Sequence, residues 1–346
     1  MFVRVAIIGY GKVGKAFVQL INEKMDYLRK EGLQIQINYI IGRNGGVYNS
    51  EGINLDDFTD FGLKQRDITN YPKGGNEEVS FEKMLQNTDV DFVIELTPTN
   101  KETGEPGMTH IRKSLECGIN VVTANKGPIL LAYKELKDIA VKNEVQLGIG
   151  CTTGGALPSI NAGMMDFAGA DITSIEGVLN GTTNFIINEM ENKVITYLEA
   201  LKNAQQLGIA ETNPDLDVEG WDTATKLLIL TNVLMNEEKL LSDISVEGIT
   251  KITPVEVAKC LEEGNKYKLV GKTVKENGKI QMTVKLEKLD SSHPLYVVDG
   301  KNKAVRYVSD VLGDLTIIGG ASGVIPASAS VLRDLINISR GYRFCK

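Results

Sequence analysis

The chain has 346 residues, with 42% apolar side chains, 38 lysines and arginines against 45 acidic residues, and a formal charge of −7. This length suits two domains, and the apolar content excludes a disordered chain. The acidic balance argues against nucleic acid as a partner, because affinity for nucleic acid comes from neutralising phosphates. No apolar run approaches the roughly 20 residues that cross a bilayer, so no membrane association is expected.

The few cysteines and histidines limit the kinds of metal site and catalytic site that the chain can form. None of the four cysteines forms a CxxC pair, and His110 and His293 are the only histidines. A histidine-rich metal site is therefore excluded, and a nucleophile activated by histidine has few residues to draw on. We expect reduced thiols in a cytoplasmic protein.

The first part of the chain alternates β-rich runs with segments of helical spacing. The pattern predicts strands at 3–8, 35–41, 90–96, 120–123 and 145–149, and helices at 13–29, 110–117 and 133–143. Thr109 is the expected cap of the second helix. Residues 43–80, rich in Gly, Asn and Asp, read as loop with short pieces of structure. This order predicts an α/β fold with a Rossmann-type, doubly wound parallel sheet.

A run of threonine, glycine and small residues at 151–158 marks the predicted boundary between two domains. We expect a dinucleotide-binding domain at 1–150 and an α+β domain at 151–325, which serves substrate binding and dimerisation. Strands are predicted near 171–179, 266–274, 279–286, 295–298 and 304–309. A helix at about 326–340 is expected to pack back on the first domain.

The sequence GYGKVG at 9–14 matches the pattern GxGxxG. The match gains weight from its position, directly after a strand and at the start of a helix. Gly9 allows the tight turn, Gly11 lets the backbone approach a pyrophosphate, and Gly14 lets helix and strand pack closely. Lys12 and Val13 belong to the same loop, whose amides face the phosphates. An ordinary strand–helix turn is the less favoured alternative.

Arg43 follows the second strand, where enzymes that use NAD carry an acidic residue for the ribose hydroxyls. An arginine there favours the 2′-phosphate of NADP, with NAD as the alternative cofactor. A surface arginine in a loop would give the same sequence. Lys126 lies between a strand end and Gly127-Pro128, where it could reach a carboxylate or a nicotinamide amide.

Asp222 and Lys226 lie four residues apart on a largely apolar helix, predicted to begin near residue 218 or 219 and to end near 234. A helix this apolar is buried, so its two charges have to pair or face a cavity. A carboxylate beside a lysine can tune that lysine for proton transfer. A structural pair on a wet face explains the spacing equally well.

Together these segments resemble the homoserine dehydrogenase family. The resemblance covers most of the chain and includes ELTPTN at 95–100, GEPGMTHI at 104–111, VVTANKGP at 121–128, NGTTNFI at 180–186 and the 211–226 segment. The chain is similar to the short form without an ACT regulatory domain. The resemblance implies NAD(P)-dependent interconversion of L-homoserine and L-aspartate 4-semialdehyde in threonine and methionine biosynthesis, by a homodimer.

The resemblance also implies roles for individual residues. Lys226 matches the catalytic proton donor, with Lys126 and Asp222 beside it. The implied substrate ligands are Glu211, Asp217, Asp222, Gly181 and Thr182. The implied cofactor contacts are Gly9, Gly11, Lys12, Val13, Gly14, Arg43, Thr97, Pro98, Lys126, Gly208 and Gly323.

The chain departs from the family pattern at one implied metal site. Backbone carbonyls of Thr153, Gly155 and Leu157 match a sodium-binding loop, but Gly150 replaces the usual glutamate, so the site would lack its carboxylate. Two other functions remain open at this point. One is a dehydrogenase of another small amino-acid aldehyde or keto acid, and the other is a non-catalytic NADP-sensing protein.

Overall fold

The apolar run at the start of the chain forms the central strand of a parallel sheet. The computed structural model describes residues 1–65 and 67–345, which form two units: Met1–Ala156 with Ser322–Lys346, and Leu157–Ala321. The elements of the first unit before residue 157 are β1 (Phe2–Ile8), α1 (Lys12–Lys30), β2 (Gln34–Ile41), β3 (Gly46–Tyr48), α2 (Leu55–Lys64), β4 (Gly75–Asn76), α3 (Phe81–Asn87), β5 (Phe92–Glu95), α4 (Gly107–Glu116), β6 (Asn120–Thr123), α5 (Lys126–Lys142), β7 (Leu147–Gly148) and α6 (Cys151–Gly154).

The strands of the first unit lie in the order β4-β3-β2-β1-β5-β6-β7. Five strands pair in parallel, in the order β2, β1, β5, β6 and β7. Strands β3 and β4 add an antiparallel edge beside β2. The centre of β1 is fully buried, as expected for a parallel strand covered on both faces. The carboxyl ends of β1, β2 and β5 therefore meet at one edge, where ligands bind in doubly wound sheets.

The second unit is built on a mostly antiparallel sheet. Its elements are α7 (Ser159–Met165), β8 (Ile172–Val178), α8 (Gly181–Lys193), α9 (Tyr197–Gln206), α10 (Asp215–Val218), α11 (Trp221–Leu234), β9 (Ile244–Val246), α12 (Pro254–Glu262), β10 (Lys266–Glu276), β11 (Lys279–Leu289), β12 (Lys303–Ser309) and β13 (Asp314–Gly319). The strand order is β13-β12-β8-β10-β11-β9, with only β9 parallel to its neighbour. The predicted fold class, a Rossmann-type sheet with a second α+β region, is confirmed.

The last helix, α13 (Val324–Ser339), belongs to the first unit. It contacts α1, β6 and β7. The buried carboxylate of Asp334 accepts a hydrogen bond of 2.7 Å from the amide of Gly150. The C-terminal segment therefore completes the core of the unit that the first strand begins.

Several predicted elements are wrong in type or bounds. The predicted strand at 295–298 is a turn, because Leu295 and Val298 are buried by packing against β8 and β10 rather than by strand pairing. Helix α4 begins at Gly107, since Pro106 caps it and the Thr109 hydroxyl donates instead to Glu105.

Two further helices have different bounds from those predicted. Helix α5 begins at Lys126, where the side chain of Asn125 caps it, and is interrupted at Ala132, whose φ of −148° and ψ of 29° are not helical. Its second part matches the helix predicted at 133–143, whereas its first part was not predicted. The helix expected from residue 218 or 219 begins at Trp221 as α11 and ends at Leu234, as predicted, while Gly220, with a φ of +89°, separates it from the short helix α10. Glycine tolerates this conformation at little cost.

Burial of α13 gives a stability test. Leu335 is 0% exposed, whereas Ile325 on the same helix is 61% exposed. We expect Leu335→Ala to lower the free energy of unfolding by about 2–5 kcal/mol, because it removes a buried side chain and leaves a cavity. Ile325→Ala, the matched control, should change it by less than about 0.5 kcal/mol. Urea unfolding followed by circular dichroism measures both, and equal effects would contradict the assigned packing.

Candidate functional site

The glycine loop has the geometry of a pyrophosphate-binding turn. A Cβ atom on Gly9 would lie 2.6 Å from the carbonyl carbon of Leu96, and one on Gly14 would clash with the carbonyl oxygen of Gly9. Gly11 has no heavy atom within 4 Å of such a position. Gly9 and Gly14 are thus required by packing, while Gly11 faces open space that a ligand can enter.

The start of α1 leaves amides available to that ligand. Gly11 is the N-cap residue and provides no side-chain hydrogen bond. The first-turn N–H groups of α1 therefore keep their capacity to bind an anion, which the helix dipole also favours.

An open groove of about 1420 Å³ runs along the carboxyl ends of β1, β2 and β5 in the first unit. It is lined by predicted cofactor residues together with two acidic side chains of the β4–α3 region, Glu77 and Glu82. The predicted residues in its lining are Gly9, Gly11, Lys12, Val13, Arg43, Thr97 and Pro98. The groove fits an extended dinucleotide, whose phosphates would meet α1 and whose adenosine would extend toward Arg43.

Arg43 lies in a tight turn at the end of β2. The amide of Gly42 donates to the carbonyl of Gly45 at 2.8 Å, and Arg43 itself is exposed. The structure shows no hydrogen bond or ion pair between Arg43 and any described residue. The guanidinium is therefore available to a phosphate in the groove.

Sequence reasoning missed Glu95, a fully buried carboxylate at the end of β5. Its Oε1 accepts from the amide of Thr97 at 3.0 Å and from the Thr97 hydroxyl, and its Oε2 accepts from the Thr123 hydroxyl at 2.9 Å. Thr123 accepts in turn from the amide of Asn125, the residue that caps the helix beginning with Lys126. Glu95 thus holds two loops in place. One contains Thr97, a predicted cofactor contact, and the other precedes Lys126.

In the second unit, α11 carries a buried ion pair. Lys226 Nζ lies 2.5 Å from Asp222 Oδ2 and donates to the backbone carbonyl of Leu179 at 2.9 Å. The Lys226 side chain is only 14% exposed. An ammonium has three N–H groups, and the described residues supply these two acceptors, so one N–H remains for a substrate oxygen.

Asn180 connects the acidic residues of this site and was also missed. Its Nδ2 donates to Asp217 Oδ1 at 2.7 Å and to Asp222 Oδ2 at 2.9 Å, while its Oδ1 accepts from the amide of Thr183 and caps α8. The position of Asn180 after a predicted strand and before Gly-Thr-Thr is typical of a helix cap, but nothing local in the sequence indicates its two carboxylate partners.

Burial raises the pKa of Asp217, and the neighbouring charge of Asp222 raises it further, while the hydrogen bond from Asn180 lowers it. The site therefore holds one ammonium and two carboxylates within a single network. Such an arrangement can hold a cationic group of a ligand and transfer a proton to or from an oxygen.

The other predicted substrate residues lie at the ends of neighbouring helices. Gly181 begins α8, and the hydroxyl of Thr182 donates to the carbonyl of Ile209 at 3.2 Å. Glu211 is exposed, and its carbonyl accepts from Gln205 at 3.1 Å. The structure thus ties the start of α8 to the segment that carries Glu211.

The remaining predicted cofactor residues lie outside the groove lining, and Gly14 is one of them. Lys126 is the first residue of α5, and Gly323 caps α13 with a φ of +118°. Gly208, in the second unit, follows α9 with a φ of +66°.

The predicted sodium loop stays a prediction. Thr153 lies in α6, Gly155 follows that helix with a φ of +62°, and the carbonyl of Leu157 accepts from the amide of Ser159 at 2.8 Å. Among the described residues, no group of three or more His, Cys, Asp or Glu side chains is placed to hold a metal ion.

Comparison with known proteins places these features in one family. A family model described as homoserine dehydrogenase matches residues 158–336. The homoserine dehydrogenase of Methanocaldococcus jannaschii is 38% identical over 96% of this chain and 98% of its own length. The NAD(+)-dependent homoserine dehydrogenase of Pseudomonas canavaninivorans is 32% identical over 97% of this chain and 96% of its own.

A solved structure gives the same result. A hyperthermophilic archaeal homoserine dehydrogenase mutant in complex with NADPH is 25% identical and superposes with a TM-score of 0.83 over all of both chains. Neither alternative function, another dehydrogenase or a non-catalytic sensor, is favoured by these relatives. The chain belongs to the homoserine dehydrogenase family of oxidoreductases, as its motifs predict.

Proposed function

We propose that this member of the family interconverts L-homoserine and L-aspartate 4-semialdehyde, with Lys226 as the proton donor and acceptor. The observation that carries the proposal is the fixed ammonium of Lys226, held by Asp222 and by the Leu179 carbonyl with one N–H left over. A lysine with a purely structural role would be expected to form hydrogen bonds to the protein with all three of its N–H groups.

The chemistry follows from this placement. When bound, the nicotinamide cofactor supplies the hydride to the aldehyde carbon, or accepts it in the reverse direction. Lys226 gives a proton to the oxygen as its negative charge develops, and Asp222 keeps the ammonium oriented. In the direction of homoserine oxidation, Lys226 takes the hydroxyl proton.

The acidic residues suit the amino-acid part of the substrate. The ammonium group of homoserine needs carboxylate partners, and we assign Glu211 and Asp217 to it. Thr182 and Gln205 support this assignment because they fix the backbone on either side of that segment. Asp222 is occupied by Lys226 and Asn180, which fits an orienting role.

We assign NADP as the cofactor, with NAD as an alternative. Arg43 supports NADP because it lies in the groove without a partner among the described residues. One relative is named as NAD(+)-dependent, and one solved structure holds NADPH, so both cofactors occur among similar proteins.

We also propose a homodimer formed by the second unit, in the cytoplasm. Strand β13 is the edge of its sheet, and four exposed apolar residues lie on it or on the turn before it: Val311, Leu312, Leu315 and Ile318. An apolar edge strand can pair with the same strand of a second copy about a twofold axis. The four cysteines all lie among the described residues and form no disulfide with one another, which supports a reducing compartment. Among the described helices, none is long and apolar enough to cross a membrane.

Substitution of Lys226 tests the proton-transfer role. Lys226→Arg keeps the positive charge beside Asp222 but cannot release a proton at neutral pH. We expect kcat for homoserine oxidation to fall by about 10²–10⁴-fold while NADPH binding is retained. The exposed lysine variant Lys251→Ala is the matched control. Near-normal turnover in Lys226→Arg, measured by absorbance of the reduced cofactor, would refute the role.

Asn180 gives a separate test of the carboxylate network. Asn180→Ser keeps an oxygen that can cap α8 but removes the amide nitrogen that donates to both carboxylates. We expect kcat/KM to fall by roughly tenfold or more, because the half-buried carboxylate of Asp217 loses its amide donor at 2.7 Å. The loss of a hydrogen bond that lowers the pKa of Asp217 should also move the acid limb of the pH–rate profile to higher pH. An unchanged profile with full stability would contradict this role.

The oligomer proposal is tested by sedimentation. Ile318 is 44% exposed on β13, so Ile318→Lys places a charge at the proposed contact without disturbing the core. We expect the dimer to dissociate toward monomer, while Leu240→Lys, an exposed substitution elsewhere in the second unit, leaves it intact. A monomeric wild type, or a variant with the wild-type mass, would contradict the proposal.

A further inference from the structure

The groove of the first unit contains the carboxylate of Glu77, which lies far from the other cofactor residues in the sequence. Strand β4 pairs with β3 through Gly46 and Asn76, and Glu77 follows directly. A Cβ atom on Gly45 would lie 2.5 Å from the Cα of Glu77. The backbone of Glu77 therefore lies against the turn that carries Arg43, although the two residues are far apart in sequence.

Both side chains line the same groove. Glu77 is exposed, and the structure shows no hydrogen bond or ion pair between it and any described residue. Its neighbour Glu78 differs, since it pairs with Lys83 at 2.7 Å and does not line the groove. The groove thus contains an available guanidinium and an available carboxylate, carried by backbone segments that lie against each other.

These two groups suit different cofactors. In dinucleotide-binding folds, a carboxylate near the end of the second strand accepts hydrogen bonds from the ribose hydroxyls of NAD, and an arginine accommodates the 2′-phosphate of NADP. Here the second strand is followed by Arg43 and lacks that carboxylate. Glu77 reaches the same turn from the β3–β4 edge.

We infer that Glu77 is a specificity-determining residue that binds the adenosine ribose diol of NAD, so that the chain accepts NAD through Glu77 and NADP through Arg43. The inference rests on the proposed cofactor groove. Two other acidic residues line the groove, Glu82 on α3 and Glu105 before α4. Glu77 is the acidic residue whose backbone lies against the Arg43 turn, which singles it out from both.

The test measures binding of NADH and NADPH to the full chain by fluorescence titration. The two probes share the nicotinamide and pyrophosphate, so their ratio isolates the ribose end. We expect Glu77→Gln to raise the Kd for NADH by about tenfold, since a neutral amide with one acceptor oxygen replaces a charged carboxylate that can accept from both ribose hydroxyls. The Kd for NADPH should stay the same or fall, because a negative charge near the 2′-phosphate is removed. Arg43→Ala should show the opposite pattern.

Glu78→Gln is the matched control and should change neither Kd. Glu82→Gln separates the effect of Glu77 from that of a second groove carboxylate. An unchanged Kd for NADH in Glu77→Gln, an equal loss for both cofactors, or a selective NADH loss in Glu82→Gln instead would overturn the inference. Wild-type protein that binds neither probe would overturn it together with the cofactor assignment. Normal binding without homoserine turnover would count against the proposed reaction alone.

Discussion

An ammonium on a buried, apolar helix has to be given acceptors, and this requirement shapes the second unit. Most of α11 is buried, and Lys226 lies in its middle. Asp222 supplies one acceptor from the preceding turn, and the carbonyl of Leu179, just beyond β8, supplies another. Removing one partner of a buried pair costs about 3–5 kcal/mol. The register between the end of β8 and the start of α11 is therefore set by a charge as well as by apolar packing.

Asn180 extends that constraint to a third element. Its amide donates both N–H groups to carboxylates and accepts with its oxygen at the start of α8, so the whole side chain is used. Two carboxylates share one ammonium and one amide, which leaves a net negative charge in the network. A ligand with an ammonium group would balance that charge, and an α-amino acid carries one.

The first unit could be predicted from the sequence more completely than the second. Its parallel strands and the glycine loop follow from local patterns, and the structure places Gly9, Gly11 and Gly14 as the motif requires. The edge strands β3 and β4 lie in the segment 43–80, which was predicted as loop with short pieces of structure. The apolar run near 295 was predicted to be a strand, but its residues are buried as part of a turn that packs against the sheet. The break at Gly220 was missed because a glycine inside a helical pattern does not by itself show a positive φ.

The candidate site was predictable only in part, because many of its contacts join residues that are far apart in sequence. Asp222 and Lys226 lie one turn apart, so their pairing can be read from spacing. The partners of Asn180 lie 37 and 42 residues away, and Glu95 meets Thr123 across 28 residues. No periodicity reports such contacts, because they depend on the crossing of elements that the sequence predicts separately. Glu77 belongs to this class, since only strand pairing brings it to Arg43.

The overall charge explains why the cofactor groove depends on local groups. A chain with a charge of −7 repels an anionic dinucleotide at long range. Attraction then has to come from the uncapped amides of α1, from Lys12 and from Arg43, all of which act at short range. A carboxylate in the same groove weakens that attraction at the 2′-position alone, because the pyrophosphate is held by α1. A groove built this way loses little binding free energy when the 2′-phosphate is absent. This is the physical condition for accepting both cofactors.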